Sequence, residues 1–176
     1  MKRIVLNERS YHGRGAVSAL GDELRNIGAI NVLFVCDKAL DRLGTSRMVT
    51  KSFEKLGINY KLFSDFKQNP TVENVNAGVS VCKRVCADCI VVLGGGSAID
   101  TAKAIAVLTA NPDIEDLCML EGDTGSKNRC LPVIAIPSTA GTAAEVTINY
   151  VITDEKRKKK LVCVDPNDIP VTAIVD

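Results

Sequence analysis

Residues 89–105 read Cys89-Ile90-Val91-Val92-Leu93-Gly94-Gly95-Gly96-Ser97-Ala98-Ile99-Asp100-Thr101-Ala102-Lys103-Ala104-Ile105. The apolar run Ile90 to Leu93 predicts a strand covered on both faces. Three glycines follow, and without a Cβ they allow positive φ and close approach of a ligand. Ser97 is the expected N-cap of the next helix, with Asp100 three residues on as in a capping box carrying Asp for Glu. A helix that opens there leaves N–H groups free and presents a positive dipole end. Gly95, Gly96, Ser97 and Asp100 are therefore candidates for holding a phosphate. A tight turn with no ligand is the simpler alternative, but three consecutive glycines exceed what a turn needs. The stretch is neither the G-x-G-x-x-G fingerprint nor a Walker loop, so the expectation rests on local physics alone.

On either side of this unit, strands and helices alternate. A short strand is expected at Ile4–Leu6, then a helix with Val17, Leu20, Leu24 and Ile27 on one face, ended by Gly28. Asn31–Cys36 reads as a strand, Ser46–Leu56 as a helix stopped by Gly57, and Tyr60–Phe63 as a strand. Asn69-Pro70-Thr71 is a break, and Thr71 can cap a helix carrying Val72, Val75, Val79, Cys82 and Cys86. Pro132–Ile136 is a buried strand. The pattern then changes: Val146–Thr153 and Lys160–Val164 flank a charged turn as an antiparallel hairpin, and Val171–Val175 is a last strand. The fold class is α/β: a mostly parallel Rossmann-like sheet with helices on both faces, plus a C-terminal antiparallel β-hairpin. Residues 1–176 form one domain on this reading.

With 176 residues the chain can bury a real core. Its apolar share of 46%, charged share of 24% and net charge of +1 suit a globular protein with no field steering it to nucleic acid or membrane. No apolar run reaches the length of a membrane span, and the N-terminus lacks a signal-peptide core, so a cytoplasmic location is expected. Seven cysteines, an odd number scattered through apolar patterns, point to reduced thiols.

In such sheets ligands bind beyond the carboxyl ends of the strands, near the point where strand order reverses. Asp37, Gly94–Ser97 and Ser138–Thr142 all follow strand ends. Asp37 could accept bonds from the ribose hydroxyls of an adenosine and repel a 2′-phosphate, or simply cap a helix. Ser138, Thr139 and Thr142 offer hydroxyls for a second phosphate or ribose wall, or a helix-capping turn. Lys156–Lys160 reads as a solvated turn, and the chain lacks an aromatic platform for nucleic acid, although Lys160 opens the returning strand and could face a cleft. Cys82, Cys86 and Cys89 have a spacing used for iron–sulfur clusters, yet they continue a helix stripe into a strand, which favours core thiols. His12 is the one histidine, too few for a multi-histidine metal site.

The glycine stretch, Ser138 to Glu145, and Val162-Cys163-Val164-Asp165-Pro166 together resemble the iron-containing (group III) alcohol dehydrogenases. The run Ala140 to Asp154 looks like the branch that reduces small aldehydes such as lactaldehyde. The resemblance covers nearly the whole chain and the first part of the family's length. It implies NAD(H) as cofactor. Asp37 would contact the adenosine ribose and favour NAD over NADP, and Asn69 would lie in an Asn-Pro turn beside the cofactor. Gly95, Gly96, Ser97 and Asp100 would form the pyrophosphate turn, with Ser138, Thr139 and Thr142 as the second wall; the family usually has Thr at position 138. Asn149 and Lys160 would lie near the nicotinamide ribose and ring. The family's iron is held by one Asp and three His of a helical C-terminal domain for which this chain has no match. Iron or zinc is thus expected only in the full-length protein, with no catalytic residue or metal ligand among these residues, and the isolated chain is expected to be inactive. The family also implies a homo-oligomer, and the strand expected at Ile4–Leu6 could pair between subunits. Two alternatives stand beside this: a non-catalytic nucleotide-binding or interaction module, and a related cofactor fold such as glycerol dehydrogenase or dehydroquinate synthase.

Overall fold

The computed structural model describes residues 4–176. Strands β1 (Arg9–His12), β2 (Asn31–Cys36), β3 (Asn59–Phe63), β4 (Cys89–Gly94), β5 (Val133–Pro137), β6 (Asn149–Asp154), β7 (Lys159–Val164) and β8 (Thr172–Val175) are separated by helices α1 (Leu20–Ile27), α2 (Lys38–Arg42), α3 (Arg47–Leu56), α4 (Val72–Arg84) and α5 (Gly96–Ala110). Six strands form a parallel sheet in the order β1-β8-β5-β4-β2-β3. β6 and β7 form a separate antiparallel hairpin, with single bridges from Thr153 to Thr71 and from Cys163 to Glu121 and Gly122. From β2 the chain steps outward to β3, then returns to place β4 on the other side of β2 and continues to β5. The reversal of strand order therefore falls between β2 and β4.

Strands covered on both faces need apolar residues at every position, and alternate residues then enter two cores. Leu33, Val35, Ile90 and Val92 pack on the side of α4, α5 and the hairpin. Val32, Phe34, Val91 and Leu93 pack on the side of α1 and α3. Phe34 meets Phe53 of α3 edge-to-face with ring centroids 5.6 Å apart. Burying one such ring stabilises the fold by about 1.5–3 kcal/mol. Helices α1 and α3 end at Gly28 and Gly57, both left-handed (φ 73° and 67°), as their sequence predicts. α4 begins with a capping box: Thr71 Oγ1 accepts from the Asn74 N–H, and Asn74 Oδ1 accepts from the Thr71 N–H.

Several expectations need correction. Ile4–Leu6 is not a strand; the edge strand is Arg9–His12, because that segment can pair with β8 while its neighbour Glu23 becomes buried. Glu23 accepts hydrogen bonds from Thr172, Tyr11, Arg9 and Asn26, which tie β1 and β8 to α1. The expected first helix is split into a 3-10 turn at Ala16–Ala19 and α1. Helix α2 was not foreseen: Asp37 caps it, its Oδ1 accepting from the Ala39 N–H at 2.9 Å. The seven cysteines are free thiols; Cys82 and Cys89 are core residues, but Cys86 is exposed at a positive-φ turn. His12 is exposed, with Nε2 2.6 Å from Ser10 Oγ. Among the described residues no helix is long and apolar enough to cross a membrane.

Gly78 lets α4 lie against α5. A Cβ there would sit 2.2 Å from Ile105 Cδ1, 2.8 Å from its Cγ1 and 3.2 Å from Phe63 Cε1. Gly78→Val should therefore lower the urea midpoint, costing about 1–3 kcal/mol through overpacking. An unchanged midpoint would show that the two helices can separate without loss.

Candidate functional site: the cradle at the strand-order reversal

Three adjacent strand ends meet at the reversal. The Asp37 N–H donates to the Leu93 carbonyl (3.2 Å), and the Ser138 N–H donates to the Gly94 carbonyl (2.9 Å). The ends of β2, β4 and β5 are thereby joined around Gly94–Gly96. Each glycine here faces an obstacle. A Cβ on Gly94 would lie 2.5 Å from Ala98 Cβ, one on Gly95 3.0 Å from Thr139 Oγ1, and one on Gly96 2.9 Å from Thr142 Oγ1. Thr139 and Thr142 are exposed, so hydroxyls and bare backbone border an open space.

The cap differs from the expectation. Gly95, in an extended conformation, is the N-cap of α5, no side chain caps it, and Ser97 lies inside the first turn. The Gly95 carbonyl accepts from the N–H groups of Ala98 and Ile99 (3.0 and 3.1 Å). The N–H groups of Gly96 and Ser97 stay without an intrahelical partner, as at any helix start. An absent side-chain cap leaves them to a ligand, which fits an anion better than a self-capped end would.

Asp100 makes no capping box either. Its Oδ2 accepts from the Val151 N–H of β6 at 3.1 Å. Burial pushes its pKa up to about 6, against the opposing pull of the Val151 bond and the Lys103 ammonium. Asp37 sits beside the turn, its Cβ 3.7 Å from where a Gly94 Cβ would be. One of its oxygens caps α2; among the described residues nothing donates to the other. Asn69 and Lys160 are brought together, Lys160 Nζ donating to Asn69 Oδ1 at 3.3 Å, and the Thr153 N–H donates to the Pro70 carbonyl at 2.8 Å. The Asn149 side chain is exposed, while its carbonyl points inward to Lys103 Nζ at 2.7 Å.

Lys103 was missed by sequence reasoning, although it stood in the opening stretch. A lone lysine in Ala102-Lys103-Ala104-Ile105-Ala106-Val107-Leu108 is the signal that could have found it. It is wholly buried, as are Asp165 and Asp168 nearby. Among the described residues no group of three or more His, Cys, Asp or Glu side chains is placed to hold a metal ion.

The doubly wound sheet and the open helix start at its reversal define a Rossmann-like nucleotide-binding class of fold. The chain belongs to the iron-containing alcohol dehydrogenase family, whose model matches residues 7–176. It is 45% identical over 174 residues to lactaldehyde reductase of Escherichia coli K12, a match that covers 99% of this chain and 46% of that protein. The crystal structure of a 1,3-propanediol oxidoreductase superposes with a TM-score of 0.95 at 31% identity, covering 100% of this chain and 46% of the other. Sulfoacetaldehyde reductase from Bifidobacterium kashiwanohense, solved in complex with NAD+, gives 0.87 at 28% identity, again over 100% and 46% of the two chains. The chain thus spans about half the length of the relatives it matches.

Asp100 titrates in a testable way. Its folded pKa lies above its value of about 3.8 when unfolded, so the unfolded chain ionises first and stability falls as pH rises from about 4 to about 6. Asp100→Asn can still accept the Val151 N–H and escapes this loss. The stability of the Asn variant relative to wild type should rise by on the order of 2 kcal/mol between pH 4 and pH 7, read from urea midpoints. A pH-independent difference would contradict the buried, shifted carboxyl.

Proposed function

We propose that this chain is the NAD(H)-binding domain of an iron-dependent alcohol dehydrogenase that interconverts a small aldehyde, such as lactaldehyde, and its alcohol or diol. The observation that carries the reading is the bare cradle: glycine backbone and unpartnered helix N–H groups facing Thr139 and Thr142, with Asp37 beside them. Residues 1–176 would be the cofactor domain, and the iron would be held by a helical domain that these residues do not include. The likeness to lactaldehyde reductase supports the substrate class, and the NAD+ complex of a structural neighbour supports the cofactor.

Bound NAD(H) supplies the hydride chemistry. The chain's own residues supply binding and orientation. The Gly96 and Ser97 N–H groups, with the positive end of α5, receive the pyrophosphate. Thr139 and Thr142 hydroxyls, with Ser138 at the rim, form the opposite wall. The uncommitted oxygen of Asp37 accepts from the adenosine ribose and repels a 2′-phosphate. Asn149, Lys160 and Asn69 line the hairpin side, where the nicotinamide half would lie. The described residues present no ligand set for iron.

One observation favours a second reading, a nucleotide-binding module without turnover of its own: the lack of a clustered metal-ligand set among the described residues. We also propose a homo-oligomer, with β1 as an open sheet edge, and a reducing, cytoplasmic setting, which the free thiols support. Nucleic acid and membrane are left out as partners on the neutral charge balance.

NADH fluorescence titration tests the cradle. Gly95→Val should weaken binding at least about tenfold, a change of roughly 1.4 kcal/mol or more, in a protein that still unfolds cooperatively. Equal affinity in both proteins would remove the phosphate site. In the same titration Asp37→Gly should narrow the gap between NADH and NADPH, and an unaltered gap would take Asp37 out of the ribose role.

A further inference from the structure

Helix α5 begins at the cradle, and one turn later two of its polar side chains grip the hairpin. Asp100 Oδ2 accepts from the Val151 N–H at 3.1 Å. Lys103 Nζ donates to the carbonyls of Thr147 at 2.6 Å and Asn149 at 2.7 Å. Residues 147, 149 and 151 are alternate positions leading into and along β6 (Asn149–Asp154), and their three backbone groups all face α5. An isolated two-stranded hairpin is marginal in water, and this one shares no ladder with the six-stranded sheet. Its apolar residues Tyr150, Ile152, Leu161 and Cys163 bury it against the core, and backbone bonds join it to Gly122 and Pro70 in the flanking loops, but none of these directional bonds is to α5. Directional bonds from α5 fix where along the helix the hairpin sits.

The lysine is costly for a purely structural role. Its side chain is wholly inaccessible, and that burial pulls its pKa down. The fully buried Asp168 is its principal opposite charge, with Asp100 and Asp165 further contributors. Asp168 has no hydrogen-bond partner for either oxygen among the described residues, and burial pushes its pKa well up. A buried charge is often no better for stability than an apolar residue of the same volume. What an apolar residue cannot do is hold two strand carbonyls at a fixed point on α5.

We propose that Lys103 is a positioning residue that sets the hairpin edge bearing Asn149 and Lys160 at a fixed place relative to the cradle at Gly95–Ser97. This rests on the cofactor reading above and deepens it. The adenosine and phosphate half of the dinucleotide meets the cradle, Asp37 and the Thr139–Thr142 wall, none of which Lys103 touches. The nicotinamide half would meet the hairpin edge, whose location depends on the Lys103 bonds. Loss of Lys103 should therefore separate the two halves of the ligand: NADH affinity falls while ADP affinity holds.

The test uses Lys103→Met, which keeps an unbranched side chain of similar length, and the double variant Lys103→Met/Asp168→Asn, which leaves neither charge stranded. ADP and NADH are titrated into wild type and both variants by calorimetry. In the double variant ADP should bind within about twofold of wild type, and the preference for NADH over ADP should drop at least fivefold. An unchanged preference in a cooperatively folding variant overturns the proposal and leaves Lys103 as mere structure. On the unmodified protein, amide exchange gives a second reading that needs no variant. ADP should slow exchange around 37–39, 94–99 and 139–142 but not in the hairpin, whereas NADH should also protect 147–151. Equal protection of the hairpin by both ligands overturns the proposal. Wild-type protein that binds neither ligand overturns the cofactor reading itself, and this inference with it, an outcome distinct from the other two.

Discussion

Helix α5 is enclosed on almost every side. Ten of its residues from Ala98 to Leu108 are buried, between the parallel sheet, α4 and the hairpin. A helix in that position must be apolar all round, and any polar side chain in it must find its partner inside the protein. Thr101 does so locally, its hydroxyl donating to the Ser97 carbonyl at 2.7 Å. Asp100 and Lys103 do so at long range, with the backbone of the hairpin. The burial of α5 thus determines two features at once. It aims the free start of the helix at the reversal of strand order, and it makes the hairpin an appendage of that helix, not of the sheet.

The hairpin is consequently held from two sides by different chemistry. Towards α5 the bonds come from buried charged groups and are screened little by salt. Towards α4 the Lys160–Asn69 bond is exposed, whereas the Thr153 N–H meets the carbonyl of the buried Pro70. Exposed contacts of that kind contribute little and exchange readily with water. The inner side is therefore the fixed reference, and the exposed Lys160–Asn69 contact makes the outer rim the adjustable side. Lys160 and Asn69, the residues nearest the expected nicotinamide end, lie on the adjustable side, where a ligand can replace their mutual bond without disturbing the core.

How much of this was legible in the sequence depends on the range of the interaction. The strand–glycine–helix unit, the alternation around it, the Gly28 and Gly57 stops and the hairpin are local patterns, and their positions hold to within a few residues. Ser97 misled because a serine before an apolar helix is a good cap by propensity, whereas Gly95 in an extended conformation already occupies the capping position. The partners of Asp100 and Lys103 lie 44–51 residues away, so no local rule could supply them. Ile4–Leu6 has the composition of a strand, yet the segment that pairs with β8 is β1 at Arg9–His12, which carries Arg and His that composition alone would not choose. Asp37 was read as either a ribose contact or a helix cap. A carboxylate has two oxygens, and the cap uses only one.

The three glycines answer the question that their number raised. A turn from strand to helix needs one or two residues free of a Cβ, and here each of the three is required by a different neighbour. Gly94 makes room for Ala98 of the following helix, so its constraint is internal to the turn. Gly95 and Gly96 make room for the hydroxyls of Thr139 and Thr142, which arrive from the next strand of the sheet. The second and third glycines therefore exist because β5 delivers its hydroxyl-bearing loop against the start of α5. Hydroxyls that face bare backbone across so small a gap leave an anion hydrogen-bond donors on both sides. A ligand bound there would touch two strand ends and one helix, which is why a change at any one of the three should be felt by the whole cradle.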